Sequence, residues 1–161
     1  MKNVNLKLVK MEDIKFNEDL FIPIKTKTIV DSILSTEGGI FPGTNTVVIG
    51  DPGVGKSTVL LDWLADFYYR SNKKVLFISG EMNEIDMYGY VKRFPKFKKL
   101  PIMFMGDYSD CPKEAVEQVI DQGYDVVLID SWAEVTSMVQ DQMGWARKKV
   151  ESWLLDLLEK N

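Results

Sequence analysis

The chain has no histidine and only one cysteine, Cys111, in its 161 residues. Without an imidazole there is no histidine general base. A single thiol closes no internal disulfide and builds no cysteine/histidine zinc cage. Chemistry must come from carboxylates, hydroxyls, lysines and the backbone. Long apolar runs are missing too: no stretch approaches the roughly 20 residues that span a bilayer, and the N-terminal MKNVNLKLVKMEDIKF holds no long apolar segment. These absences point to a cytoplasmic chain in a reducing compartment, with no membrane contact. A basic excess is also lacking. Lys and Arg total 20 against 24 Asp and Glu, so the net charge of -4 argues against a protein that coats nucleic acid by charge alone. A local basic patch remains compatible with that balance.

What is present suits one globular domain. The length supports one hydrophobic core rather than two, and apolar residues at 45% with no low-complexity tract exclude extended disorder. Residues 4 to 8, VNLKL, alternate like a half-exposed strand, and TKTIVDSIL predicts a short helix capped at Thr28 with Asp31 three residues on. Residues 1–27 read as an N-terminal extension and 28–161 as the main domain. The turn-rich EGGIFPGTN then delivers the chain into an apolar strand, TVVIG, at 46 to 50.

Beyond it, Leu60, Leu61, Trp63, Leu64, Phe67 and Tyr68 recur at helical spacing until RSNKK ends the helix. Further strands are expected at VLFIS (75 to 79), PIMFM (101 to 105) and VVLID (126 to 130). Helices are expected from the Asn83/Asp86 cap to about Arg93, from Pro112 to near Gly123, and from about Gly144 to Lys160. Continuous Val/Ile/Leu strands alternating with helices predict an α/β fold with a parallel sheet covered on both faces.

The stretch GDPGVGKST, residues 50 to 58, completes the pattern G-x-x-x-x-G-K-[ST] between a predicted strand and a predicted helix. A phosphate chain needs several backbone N–H groups converging on it, which requires conformations glycine adopts cheaply and space that only a missing side chain leaves. Gly50, Asp51, Pro52, Gly53, Val54 and Gly55 form this loop. The following helix adds unpaired N–H groups and its positive end, Lys56 reaches the outer phosphates, Ser57 is placed for magnesium, and Thr58 can donate to the innermost phosphate.

Ligands of open parallel sheets sit at the carboxyl ends of strands. Asp130 ends VVLID and Glu81 follows VLFISG, so both carboxylates are expected on the edge that carries the loop. Asp130 suits the magnesium shell, with a helix cap as the alternative. Glu81 suits the orientation or deprotonation of an attacking water, with a solvated turn residue as the alternative.

The stretches GGIFPGTNTVVIGDPGVGKSTVLL, KKVLFISGEM and YDVVLIDSWAEVT resemble the RecA/RadA superfamily of P-loop ATPases across roughly residues 28–161. The loop wording is closest to the RadA/Sms branch, and SGEM is similar also to DnaB-type helicase cores. The resemblance implies a RecA-like, mostly parallel sheet that is incomplete at its C-terminal side. In that superfamily another strand follows the last helix seen here, lies between the P-loop strand and the Asp130 strand, and carries a polar residue that senses the outer phosphate. The chain ends before it, just after the Walker B strand and its following helix.

For function, the resemblance implies binding and magnesium-dependent hydrolysis of ATP, when complete or assembled, in DNA recombination, repair or unwinding. It gives the catalytic glutamate role to Glu81, the phosphate role to Lys56 and the Mg2+ roles to Ser57 and Asp130. The implied partners are further copies in a ring or filament, or a chain that completes the sheet. Adenine is inferred from the resemblance alone, alongside the lack of a guanine-reading N-K-x-D motif.

Two surfaces are candidates for single-stranded DNA. VKRFPKFKK places Lys92, Arg93, Lys96, Lys98 and Lys99 among Phe94 and Phe97, which would join phosphate neutralisation to base stacking. The alternative is a basic connector whose phenylalanines pack inward. SWAEVTSMVQDQMGWARKK lies where RecA-type proteins put a first DNA-facing loop, and is equally an ordinary connection, with Arg147, Lys148 and Lys149 solvated at a helix head. Two other functions fit the loop: a non-catalytic, nucleotide-stabilised assembly module, and a small-molecule kinase. The latter calls for an arginine-bearing lid, which Arg70, Arg93 and Arg147 do not obviously form.

Overall fold

A computed structural model describes residues 7–15 and 17–160. Its centre is a three-stranded, all-parallel sheet of β1 (Val75–Ser79), β2 (Ile102–Phe104) and β3 (Val126–Asp130), in the order β2-β1-β3. Phe77 stands opposite Ile102 on one side and Leu128 on the other. All five residues of β1 are buried, as expected of an apolar strand with a neighbour on each side.

Successive residues of β1 point to opposite faces, and each face is covered by helices. Val75 and Phe77 pack with Leu61, Leu64, Ala65 and Phe67 of α2 (Lys56–Arg70) and with Phe97. On this side α3 (Glu84–Arg93) contributes Met87, Tyr90 and Val91. Leu76 and Ile78 pack against Val116 and Ile120 of α4 (Pro112–Ile120), Val135 of α5 (Trp132–Met143) and Leu154 of α6 (Arg147–Lys160). The α/β fold with helices on both faces is therefore as read, and it is consistent with a P-loop nucleotide-binding protein.

Local chemistry sets the helix ends. Asn83 and Asp86 form the expected capping box, with the Asn83 side chain accepting from Ile85 and Asp86 N–H and Asp86 accepting from Asn83 N–H. Thr28 caps α1 (Ile29–Leu34) by accepting from Val30 N–H at 3.3 Å. Asp31 turns back instead to accept from Thr26 N–H, Thr26 Oγ1 and Lys27 N–H, each at 2.8 Å. Ile24 bridges to Ile40, and Ser71 Oγ donates to the Lys25 carbonyl at 2.6 Å, so the segment before Thr28 is fastened to the C-terminal end of α2.

Three expectations need correction. The apolar run at 46 to 50 forms no strand: Val47 and Ile49 are 78% and 90% exposed. Its backbone has no ladder to join, because a slot of about 530 Å³ separates it from β3. Apolar content made this run look like a buried strand, but a strand requires an adjacent edge. Secondly, residues 132–143, read as a DNA-facing loop or a plain connection, form the helix α5. Ser131 caps it by accepting from Glu134 N–H, Val135 and Val139 bury at i, i+4 spacing, and Gly144 closes it at φ +61°. Thirdly, of the strand expected at 4 to 8, residues 4–6 lie outside the described residues, and Lys7 and Leu8 belong to no strand.

Candidate nucleotide site

The phosphate-loop residues lie at the carboxyl end of the sheet, where residues 50–55 lead directly into α2. Gly53 and Gly55 take the left-handed conformation, at φ +79° and +93°, and a Cβ at either would meet no atom within 4 Å. Both need glycine for backbone conformation rather than for close packing. The first bond into α2 runs from Val59 N–H to the Gly55 carbonyl at 3.0 Å. The N–H groups of Lys56, Ser57 and Thr58 therefore have no carbonyl one turn earlier to receive them and point out of the helix end, a natural anion seat.

Lys56 Nζ folds over the loop and donates to the carbonyls of Gly50 at 2.8 Å and Asp51 at 2.9 Å. Its ammonium thus sits on the concave side of the turn, where phosphate oxygens would offer stronger, charged acceptors. The exposed Asp51, Pro52, Gly53 and Val54 leave the mouth of the loop open.

Asp130 ends β3 opposite Ser79, and its carbonyl accepts Gly80 N–H at 2.8 Å. Lys56 and Asp130 line the same cavity, the slot between β3 and residues 44–48. Glu81, one residue beyond Gly80, is exposed at the same sheet edge and does not line that cavity. Ser57 follows Lys56 in the first turn of α2. The structure thus brings Lys56 and Asp130 to one cavity and leaves Glu81 beside it.

Among the described residues no group of three or more His, Cys, Asp or Glu could hold a metal ion by itself. Magnesium takes one or two protein oxygens and completes its shell from phosphates and water. By donor chemistry, a hydroxyl such as Ser57 and a carboxylate such as Asp130 are oxygen ligands of that kind.

Glu134 is a neighbour that sequence reading missed. It stands in the first turn of α5, next to the Gly80 backbone. Once residues 131–134 are recognised as a Ser-x-x-Glu helix start, its position at this edge follows.

The basic stretch turns its phenylalanines inward. Phe97 is 3% exposed and Phe94 packs beside it with ring centroids 5.2 Å apart, both in the α2 side of the core. Lys96 pairs with Asp62 of α2. At the head of α6, Arg147 pairs with Glu151 at 2.7 Å and Lys149 sits 3.9 Å from the Trp145 ring centroid. No helix among the described residues is long and apolar enough to cross a membrane.

No family model matches the chain, and no solved structure matches it. Among curated proteins it is similar to the DNA repair protein RadA of Listeria monocytogenes, with 40% identity over 99 residues that cover 58% of this chain and 20% of that protein. A shorter stretch of 44 residues is 52% identical to the DNA repair protein RadA of Mycobacterium tuberculosis, covering 27% of this chain and 9% of that protein. The signal recognition particle receptor FtsY of Mycoplasma genitalium is 28% identical over 132 residues, 78% of this chain and 38% of FtsY. The chain spans about a fifth of the length of the Listeria relative. The chain is thus similar in part to RadA proteins and, at lower identity, to FtsY.

Proposed function

We propose that this chain is a RecA/RadA-like nucleotide-binding domain that takes ATP with Mg2+ at residues 50–58 and hydrolyses it in the service of DNA repair, recombination or unwinding. The observation that carries the reading is a helix N-terminus reached through two left-handed glycines with Lys56 folded over the loop, and Asp130 lining the same cavity as Lys56. The sequence similarity to RadA proteins supports the link to DNA repair.

In this reading the orphan N–H groups of α2 and the loop seat the phosphates, and the Lys56 ammonium leaves the Gly50 and Asp51 carbonyls for the outer phosphate oxygens. Ser57 and Asp130 hold the magnesium ion, which supplies charge neutralisation. Glu81 orients the attacking water and receives its proton as the new phosphorus–oxygen bond forms and the bond to the bridging oxygen breaks. The chain works in the cytoplasm as part of a ring or filament of further copies.

A second reading, a nucleotide-stabilised assembly module without turnover, is favoured by the open slot beside β3, where a strand from another chain would complete the sheet. Phosphate release from Mg-ATP, with and without single-stranded DNA, separates the two. The first reading expects DNA-stimulated release that disappears in Lys56→Ala and in Glu81→Gln, with nucleotide still bound by the latter. Binding without release under either condition would overturn it in favour of the second.

A further inference from the structure

Between Asp86 and Asp107 the chain carries no acidic residue, although the protein as a whole is acidic. This acid-free run contains the C-terminal half of α3 and a 3-10 turn at Pro95–Lys99. Its five cations are not equivalent. Lys96 is neutralised by Asp62, whereas Lys92, Arg93, Lys98 and Lys99 are exposed with no carboxylate paired to them among the described contacts. Arg93 is held in place, its Nε donating to the Gly89 carbonyl at 3.2 Å and its guanidinium lying 5.0 Å from the Tyr90 ring centroid.

The apolar residues of the run face the other way. Val91, Phe94, Phe97, Leu100 and Ile102 all pack in the core on the α2 side, so between Lys92 and Lys99 no aromatic ring is free to stack on a base and no apolar anchor is free to enter a lipid surface; the exposed ring of the run, Tyr88, lies one turn earlier in α3. Tight backbone bonds from Phe94 N–H to the Tyr90 carbonyl and from Phe97 N–H to the Phe94 carbonyl fix the ridge. Because it immediately precedes β2, the ridge lies at the amino end of the sheet, away from Lys56 and Asp130.

We infer that Lys92, Arg93, Lys98 and Lys99 form a contact for the phosphate backbone of DNA that is blind to sequence and to strandedness and independent of the nucleotide site. This deepens the proposed function by naming where and how DNA is held, and it rests on that reading only for the choice of DNA as the polyanion. Contacts to phosphate alone release counterions without reading bases. Four such contacts predict that affinity for duplex DNA falls about 150-fold between 50 and 200 mM salt, and about 50-fold for a single strand.

The test is fluorescence anisotropy of labelled single-stranded and duplex DNA of equal length against the full chain over that salt range. The account expects both to bind at low salt with these steep dependences. Lys98→Ala/Lys99→Ala should reduce the duplex dependence to about 12-fold, while Lys148→Ala, outside the ridge, should leave it unchanged. Lys56→Ala should bind DNA normally, so loss of nucleotide binding and loss of DNA binding are read separately. No binding at 50 mM salt, a strong preference for single strands, an unchanged salt dependence in the double variant, or binding to anionic phospholipid vesicles in place of DNA would each overturn the inference.

Discussion

A Cβ on Gly80 would stand 3.0 Å from the Cβ of Glu134, tighter than most Cβ contacts. The first turn of α5 lies directly on the exit of β1, with Val135 Cγ2 at 3.2 Å and the Ser131 carbonyl at 3.3 Å from the same point. Backbone-anchored neighbours cannot swing aside, so Gly80→Ala must push α5 away from the sheet edge that carries Asp130. The expected cost is about 1–3 kcal/mol. Gly89 provides the opposite case: it lies inside α3 and an added Cβ would meet nothing within 4 Å. Gly89→Ala should stabilise by about 0.5–1 kcal/mol through helix propensity. Urea midpoints of the two variants should move in opposite directions from wild type.

Asp31 makes the fold sensitive to acid. Burial alone would raise its pKa, but hydrogen bonds from Thr26 N–H, Thr26 Oγ1 and Lys27 N–H, with the Lys25 charge, outweigh that effect and hold it below the ordinary 3.8. A depressed carboxylate contributes stability that is fully present above its unfolded value and lost as pH falls through its folded value. At pH 7, Asp31→Asn should cost up to about 1–2 kcal/mol, discounted for partial exposure of the carboxylate. Stability curves for the two proteins should converge as pH drops below about 3.8. Thr26, fully buried, supplies the reason the variant is destabilised at neutral pH: its donors lose their charged acceptor.

Much of this was legible in the residues. The Asn83 capping box, Pro112 at the start of α4, and the limits of β1 and β3 follow from local chemistry that tertiary packing leaves intact. The run at 46 to 50 was misread because apolar, β-branched composition reports a readiness to pair and says nothing about whether an edge is available. The α5 helix was hidden because its apolar stripe is short and the segment resembles the place of a loop, which says nothing about the local helix pattern. At the site, the G-x-x-x-x-G-K-[ST] pattern of residues 50–57 is legible from spacing. The shared cavity of Lys56 and Asp130, the inward turn of Phe94 and Phe97, and the approach of Glu134 to Gly80 are long-range relations that no spacing encodes.

The exposed 46 to 50 segment and the half-buried β3 carry unpaired backbone along facing edges, and such edges template association. Sedimentation velocity should show association that grows with protein concentration. Val47→Lys/Ile49→Lys, placed at residues 78% and 90% exposed, should reduce it with little change in thermal stability. Association unchanged in that variant would move the contact elsewhere on the surface.

Phosphate seating by the α2 N-terminus and Lys56 is the centre of the account, and equilibrium binding tests it without requiring turnover. Calorimetric titration of the chain with ATP in the presence of Mg2+ should give a saturable, single-site isotherm that is lost in Lys56→Ala and weakened when Mg2+ is withheld or Asp130 is changed to Asn. An isotherm that Lys56→Ala leaves intact, or no binding by the wild-type chain at millimolar ATP, would contradict it.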